Sequence, residues 1–260
     1  MSQRLTVGSL FTGIGGLDLG LEATGRFHIA WQVEINDYCT HILARHWPTT
    51  PRYRDVRTVG KHNLSPVDVL CGGFPCQNIS LSKTTGIVGI DGPESGLWGE
   101  FARLICELRP CYVIVENVSA LLGRGMGRVL GDLAACGYDA EWTVLQAAAF
   151  GAPHLRGRLF IVAYPHKKRW VRLFQNDLQG SGSLYSLWET SKQMVLLQDR
   201  VEQLEAVLSE PSVFGDDDGL PYRVERLEAL GNAIVPQVAQ YVGHCLLNWH
   251  DRQCEEKQLS

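Results

Sequence analysis

The chain has 260 residues, of which 45% are hydrophobic and 20% charged, with 27 Gly, 11 Pro and a formal net charge of −4. That length and apolar content suit one large domain, or a domain carrying a smaller one, and exclude disorder over most of the chain. The slight acidic excess excludes a protein that coats nucleic acid indiscriminately, but it is compatible with a localised basic surface.

In chain order, apolar strand patterns alternate with helical ones. RLTVGSLF (4–11) reads as a strand, GGLDLGLEATG (15–25) as a helix, HIAWQVE (28–34) as a strand and NDYCTHILARHW (36–47) as a helix. VDVLCGG (67–73) is a strand, SGLWGEFARLICELRP (95–110) a helix, CYVIVENV (111–118) a strand and GMGRVLGDLAACG (125–137) a helix; EWTVLQA (141–147) and LFIVAYP (159–165) are strands. Apolar strands separated by helices predict an α/β fold, a doubly wound and mostly parallel sheet covered on both faces. Such sheets bind ligands beyond the carboxyl ends of their strands.

From about Tyr164 to Tyr222 the pattern changes to a basic stretch, the Gly/Ser-rich QGSGSLYS, a helical segment and the acidic FGDDDGLP. Met194, Leu197, Val201, Leu204 and Leu208 alternate spacings of three and four, which predicts an amphipathic helix near 189–209. RLEALGNAIVPQVAQYVGHCLLNWH (226–250) is again helical in period, after a Gly-Asn turn. The expected organisation is a catalytic and cofactor-binding domain over 1–163, a short lobe over 164–222, and a segment over 223–260 that returns to the first domain. No run of about 18 apolar residues occurs and the first residues lack a signal-peptide core, so a cytoplasmic protein is expected. The eight Cys show no C-x-x-C spacing and read as reduced thiols, most of them packing residues.

FTGIGG places Gly13, Gly15 and Gly16 between a strand and a helix, where missing side chains let a ligand approach the backbone. Glu34 ends the next strand 21 residues after Gly13, the separation at which an acid reaches ribose hydroxyls in dinucleotide-type sites. Asp55, after PRYR, is placed to accept a hydrogen bond from an adenine amine. Together these suggest an adenosine-containing cofactor, although Asp18 breaks the G-x-G-x-x-G pattern and disfavours a nicotinamide dehydrogenase. Cys76 lies just past a strand end, with Pro75 stiffening its backbone. Glu116 closes another buried strand, where a carboxylate is costly unless it is paired or working, and a helix cap is the plain alternative.

FTGIGG, GGFPCQ, ENV, PHLRGRLFIV and LGNAIVP stand in the order shown by DNA (cytosine-5) methyltransferases of prokaryotic or viral type, and the resemblance spans about 5–163 and 221–245. It implies a Rossmann-like methyltransferase fold, S-adenosylmethionine as cofactor and double-stranded DNA as partner. The implied reaction is addition of Cys76 to C6 of a flipped-out cytosine, which makes C5 able to take a methyl group. Glu116 then serves N3, Arg158 contacts the base O2, and Arg156 steadies the nucleophile loop or a phosphate.

By the same resemblance Phe11 stacks near the adenine, Gly13, Gly15 and Gly16 face the methionine portion, and Glu34 holds the ribose. Asp55 reaches the adenine edge, Pro75 and Leu97 line the cofactor pocket, and Asn232 closes it. Gln77 and Ser80, in a Gly-rich loop suited to closing over the substrate, and Lys167, Lys168 and Arg169 are the expected DNA contacts. No metal is called for, and a monomer is expected. His154 stands where Gln is common, and the interval 164–222 is short for a target-recognition domain. A cytosine methyltransferase acting on tRNA, and a non-catalytic DNA-binding relative, are the alternatives.

Overall fold

The computed structural model describes residues 4–75, 97–152, 156–166, 173–174, 229, 231 and 233–258. All of them belong to one compact unit, formed by Met1–Phe174 together with Val224–Ser260. In chain order it runs β1 (Leu5–Leu10), α1 (Gly16–Ala23), β2 (Phe27–Val33), α2 (Asp37–His46), β3 (Arg52–Tyr53), β4 (Val69–Gly73) and α3 (Leu97–Leu108). There follow β5 (Tyr112–Val118), the short α4 (Leu121–Arg124), α5 (Met126–Ala135), β6 (Tyr138–Gln146), β7 (Gly157–Pro165) and α6 (Pro236–Gln258).

The seven strands form one sheet in the order β3-β2-β1-β4-β5-β7-β6. β1 to β5 pair in parallel, and β7 runs antiparallel to both of its neighbours. The expected α/β class with a mostly parallel sheet is therefore the observed one. β7 reverses because the chain between β6 and β7, residues 147–156 with the 3-10 turn Ala147–Phe150, is too short for the crossover helix that a parallel return needs. Strand order also reverses between β1 and β4, and the crevice at their carboxyl ends is where such a sheet binds ligands.

β5 is an unbroken buried run because β4 and β7 flank it and helices cover both faces. On one face Leu70, Val113 and Val115 join Phe101, Leu104 and Ile105 of α3 and Val129 and Leu133 of α5 in one core. The alternating positions Val69, Cys71 and Ile114 are buried on the other. There α1 meets α6, and the approach is close: a Cβ on Gly20 would lie 2.2 Å from the carbonyl oxygen of Pro236. The long C-terminal helix begins at Pro236, because proline fits a first helical turn and not a helix interior.

One sequence expectation is corrected. Cys106 of α3 and Cys136, which follows α5, form a disulfide with Cα atoms 5.4 Å apart, so not all eight thiols are reduced. The two helices pack side by side and bring together positions 30 residues apart, a contact no local motif announces. Cys39 and Cys71 are buried and take part in no disulfide, as packing residues should be. Among the described residues no helix is long and apolar enough to cross a membrane. The helix expected near 189–209 lies outside the described residues.

Candidate active site

The carboxyl ends of β1, β2, β4 and β5 open onto one cleft of about 600 Å³, and its wall runs from Phe11 and Glu34 to Glu116 and Arg158. The turn after β1 is held in left-handed backbone, with φ 51° at Phe11 and 57° at Gly13, a conformation in which a bulky side chain is rare. Nothing lies within 4 Å of where a Cβ on Gly13 would stand, so this glycine leaves open space at the cleft wall. Gly16 also lines the cleft, but a Cβ there would sit 2.1 Å from the Ile234 carbonyl oxygen. Gly15 serves packing instead: at φ 87° its Cβ would meet the Trp47 ring at 2.6 Å.

Glu34 follows β2 and accepts two backbone N–H bonds, from Gly13 to Oε2 and from Asn36 to Oε1, both at 2.7 Å. These fix the carboxylate at the cleft and leave each oxygen a further lone pair for a ligand hydroxyl. Asp55 caps the 3-10 turn Val56–Thr58, accepting from the Arg57 N–H at 3.0 Å. Its two oxygens also take the Arg57 guanidinium, whose hydrogen bonds hold the Asp55 carboxyl below its usual value. Pro75 and Leu97 are both on the wall. Behind them runs a row of rings: Phe74 packs on Trp98, Trp98 on Phe101, and Phe101 on Phe11, with centroids 5.3, 5.7 and 6.3 Å apart.

At the other end of the cleft Glu116 is only 7% exposed, and its Oε1 pairs with Arg158 Nε at 3.0 Å. β7 supplies the arginine because its antiparallel register sets Arg158 opposite Val118 and Phe160 opposite Glu116. Burial pushes the Glu116 carboxyl up to about 7, against the opposing pull of Arg158 and Arg156. Burial thus keeps a proton on Glu116 to higher pH than on an exposed carboxyl, the form able to donate to a ligand. Arg156 donates to the Gly231 carbonyl, tying the start of β7 to the C-terminal segment.

Three residues not assigned a role from the sequence also line the cleft, two of them at this end and Arg57 at the other. Asn117 is buried, and its Nδ2 donates to the Phe74 carbonyl at 3.0 Å, two residues before Cys76. A Cβ on Gly73 would lie 2.5 Å from Glu116 Oε2. Arg57 engages Asp55 as described. All three stand inside or beside the quoted motifs, but only the fold shows what they touch. Cys76, Gln77, Ser80, Asn232, Lys167, Lys168 and Arg169 lie outside the described residues. Among the described residues no group of His, Cys, Asp and Glu could hold a metal ion.

The sequence model of the family described as C-5 cytosine-specific DNA methylase matches residues 5–209. The chain belongs to that family. Among curated relatives, the Type II methyltransferase M.Sau3AI of Staphylococcus aureus is 34% identical over 193 residues, covering 67% of this chain and 47% of its own. The Type II methyltransferase M1.HphI of Haemophilus parahaemolyticus is 33% identical over 171 residues, 62% of this chain and 46% of its own. The chain thus spans about half the length of these relatives. Of solved structures, an S. pombe Dnmt2 methyltransferase shares the fold with a TM-score of 0.56 at 20% identity, over 69% of this chain and 56% of that one. In this member of the family, the mixed seven-stranded sheet has the fold of that solved methyltransferase structure.

Proposed function

We propose that the chain is a site-specific DNA cytosine-5 methyltransferase of the restriction-modification type, moving a methyl group from S-adenosylmethionine to C5 of a cytosine rotated out of the duplex. One observation supports this most: the Glu116–Arg158 pair, at 3.0 Å, stands on the same cleft wall as Gly13, Glu34 and Pro75, the residue before Cys76.

The cofactor suits the donor set present. Gly13 leaves open space at the wall, Glu34 offers anchored acceptors for ribose hydroxyls, and Asp55 stands on the same wall for the adenine amine. Phe11, Gly16, Pro75 and Leu97, on the same cleft wall, line the rest of the cofactor pocket in this reading, and Asn232 closes it. When bound, S-adenosylmethionine supplies an electrophilic methyl carbon. The Cys76 thiolate forms a bond to C6, and the displaced ring electrons collect toward N3, where Glu116 delivers a proton. Arg158 orients Glu116 and the base O2, while Arg156 steadies the adjoining loop. Once C5 carries its new substituent, N3 returns its proton to Glu116, a base removes the C5 proton, and the C6–S bond breaks to return the thiolate.

In this reading 1–163 is the catalytic domain, 164–222 a short target-recognition lobe and 223–260 the returning segment. Gln77, Ser80, Lys167, Lys168 and Arg169 contact DNA, and the protein works as a cytoplasmic monomer. Incubation of the purified chain with labelled S-adenosylmethionine and either duplex DNA or tRNA tests the proposal. Label at C5 of cytosine in a fixed sequence of the duplex is expected; label in tRNA alone would transfer the activity to RNA, and label in neither would remove it.

A further inference from the structure

Asp18, in the first turn of α1, is completely buried, and no role described so far uses it. Its Oδ1 accepts from Ser9 Oγ at 2.7 Å and its Oδ2 from Gln32 Nε2 at 2.8 Å. Ser9 and Gln32 are themselves buried, and they stand opposite one another on β1 and β2. The carboxyl thus bridges the two strands whose ends carry the Phe11–Gly13 turn and Glu34.

The network continues on both sides. Ser9 Oγ accepts from Thr12 Oγ1 at 3.1 Å, and the Thr12 hydroxyl also lies 3.2 Å from the Ser9 carbonyl oxygen, so the clamp reaches the residue between left-handed Phe11 and Gly13. Such backbone persists only where its surroundings over-determine it. Beyond Gln32, its Oε1 accepts from Arg52 at 3.3 Å, and the same arginine nitrogen donates to the Trp47 carbonyl at 2.7 Å, at the end of α2.

A second, independent feature makes the clamp necessary. The register of β1 on β2 shifts between Val7 and Gly8, just before Ser9. There the Trp31 ring occupies the space beside Gly8, whose Cβ would lie 2.2 Å from it. Past an irregularity, strand pairing needs a fixed point, because a slip of one residue turns every side chain to the other face. An apolar residue at position 18 would fill space but would leave the buried Ser9 and Gln32 donors unsatisfied.

We infer that Asp18 is a positioning residue for the cofactor: through Ser9 and Thr12 it sets the Phe11–Gly13 turn, and through Gln32 it sets the strand that presents Glu34. The inference rests on reading the cleft as the S-adenosylmethionine site. Burial pushes the Asp18 carboxyl up to about 7 despite the Ser9 and Gln32 bonds, so the group is held there at a cost.

The test is calorimetric titration of the full chain with S-adenosylhomocysteine, alongside steady-state kinetics. Asp18→Asn replaces one of the two acceptor oxygens by an amide N–H, so Ser9 and Gln32 can no longer each donate to an oxygen of their own. It is expected to weaken binding by more than about tenfold and to raise the cofactor KM, while kcat at saturating cofactor stays within about threefold. Adding Gln32→Glu restores the match of donor and acceptor and pairs the new carboxylate with Arg52, so the double variant recovers most of the affinity. A folded Asp18→Asn chain with wild-type affinity, or a double variant no better than the single, overturns the inference. Should Asp18→Asn fail to fold, Ser9→Ala carries the same test: weaker binding supports the clamp, and unchanged binding overturns it. A wild-type chain that binds no cofactor overturns the reading of the cleft, and the inference with it.

Discussion

Gly73 and Glu116 face one another across the β4–β5 pair, and the carboxylate stands where any side chain at 73 would have to go: a Cβ there would lie 2.5 Å from Oε2. The obstructed atom is the far end of a side chain, so Gly73→Ala should leave the fold intact and displace the carboxyl. A misplacement near 1 Å at a reacting group costs up to about a hundredfold in rate. We predict a kcat about 10- to 100-fold lower with a melting temperature within about 5 °C of wild type, checked by kinetics at saturating substrates and by thermal melting.

The raised Glu116 value has a consequence for stability. A carboxyl held at about 7 in the fold, against an ordinary value of 4.5, favours the folded state below the unfolded value and loses that benefit as pH rises toward 7. Above 7 the wild-type protein carries a buried carboxylate. Glu116→Gln mimics the neutral form, so its stability relative to wild type should rise as pH climbs from 5 to 8, while its activity is lost. A pH series of melting curves on both proteins checks this.

Glu34 carries two duties, since its oxygens take the Gly13 and Asn36 N–H groups while facing the cleft. Glu34→Ala is expected to weaken cofactor binding at least about tenfold, or about 1.4 kcal/mol. Glu34→Gln keeps an acceptor for one of the two N–H groups and should lose less. Isothermal titration of the three proteins with S-adenosylhomocysteine measures the order.

Asn117 holds the Phe74 carbonyl at 3.0 Å, which fixes the backbone just ahead of Cys76. Asn117→Ala leaves that buried carbonyl without its donor, at about 1–3 kcal/mol. If the bond positions the loop, kcat should fall about tenfold or more while the cofactor dissociation constant changes by less than about threefold. Equal losses in both would make Asn117 a general structural residue.

Much of this architecture is written locally. The strands around Val7, Val69 and Val113 and the ends that carry Glu34 and Glu116 follow from apolar runs stopped by polar residues, and the fold places those ends on one cleft. What the sequence conceals depends on neighbours distant in the chain. Gly15 reads as a ligand-facing glycine, yet it is required by Trp47. Gly16 lines the cleft, but it also makes room for the Ile234 carbonyl more than 200 residues away. Asp18 looks like a broken motif until Ser9 and Gln32 are seen on adjacent strands. The Cys106–Cys136 bond likewise follows only from the packing of α3 against α5.

The covalent role proposed for Cys76 is tested most directly by a duplex carrying 5-fluorocytosine at the target position, because fluorine cannot depart as a cation and the reaction must stop with the enzyme attached. With S-adenosylmethionine present, the wild-type chain should form a denaturant-resistant complex whose mass includes one DNA strand and one methyl group, mapping by peptide mass spectrometry to Cys76 and absent from Cys76→Ser. A wild-type chain that methylates ordinary duplex DNA yet yields no such complex, or one that maps to a different residue, would contradict the account.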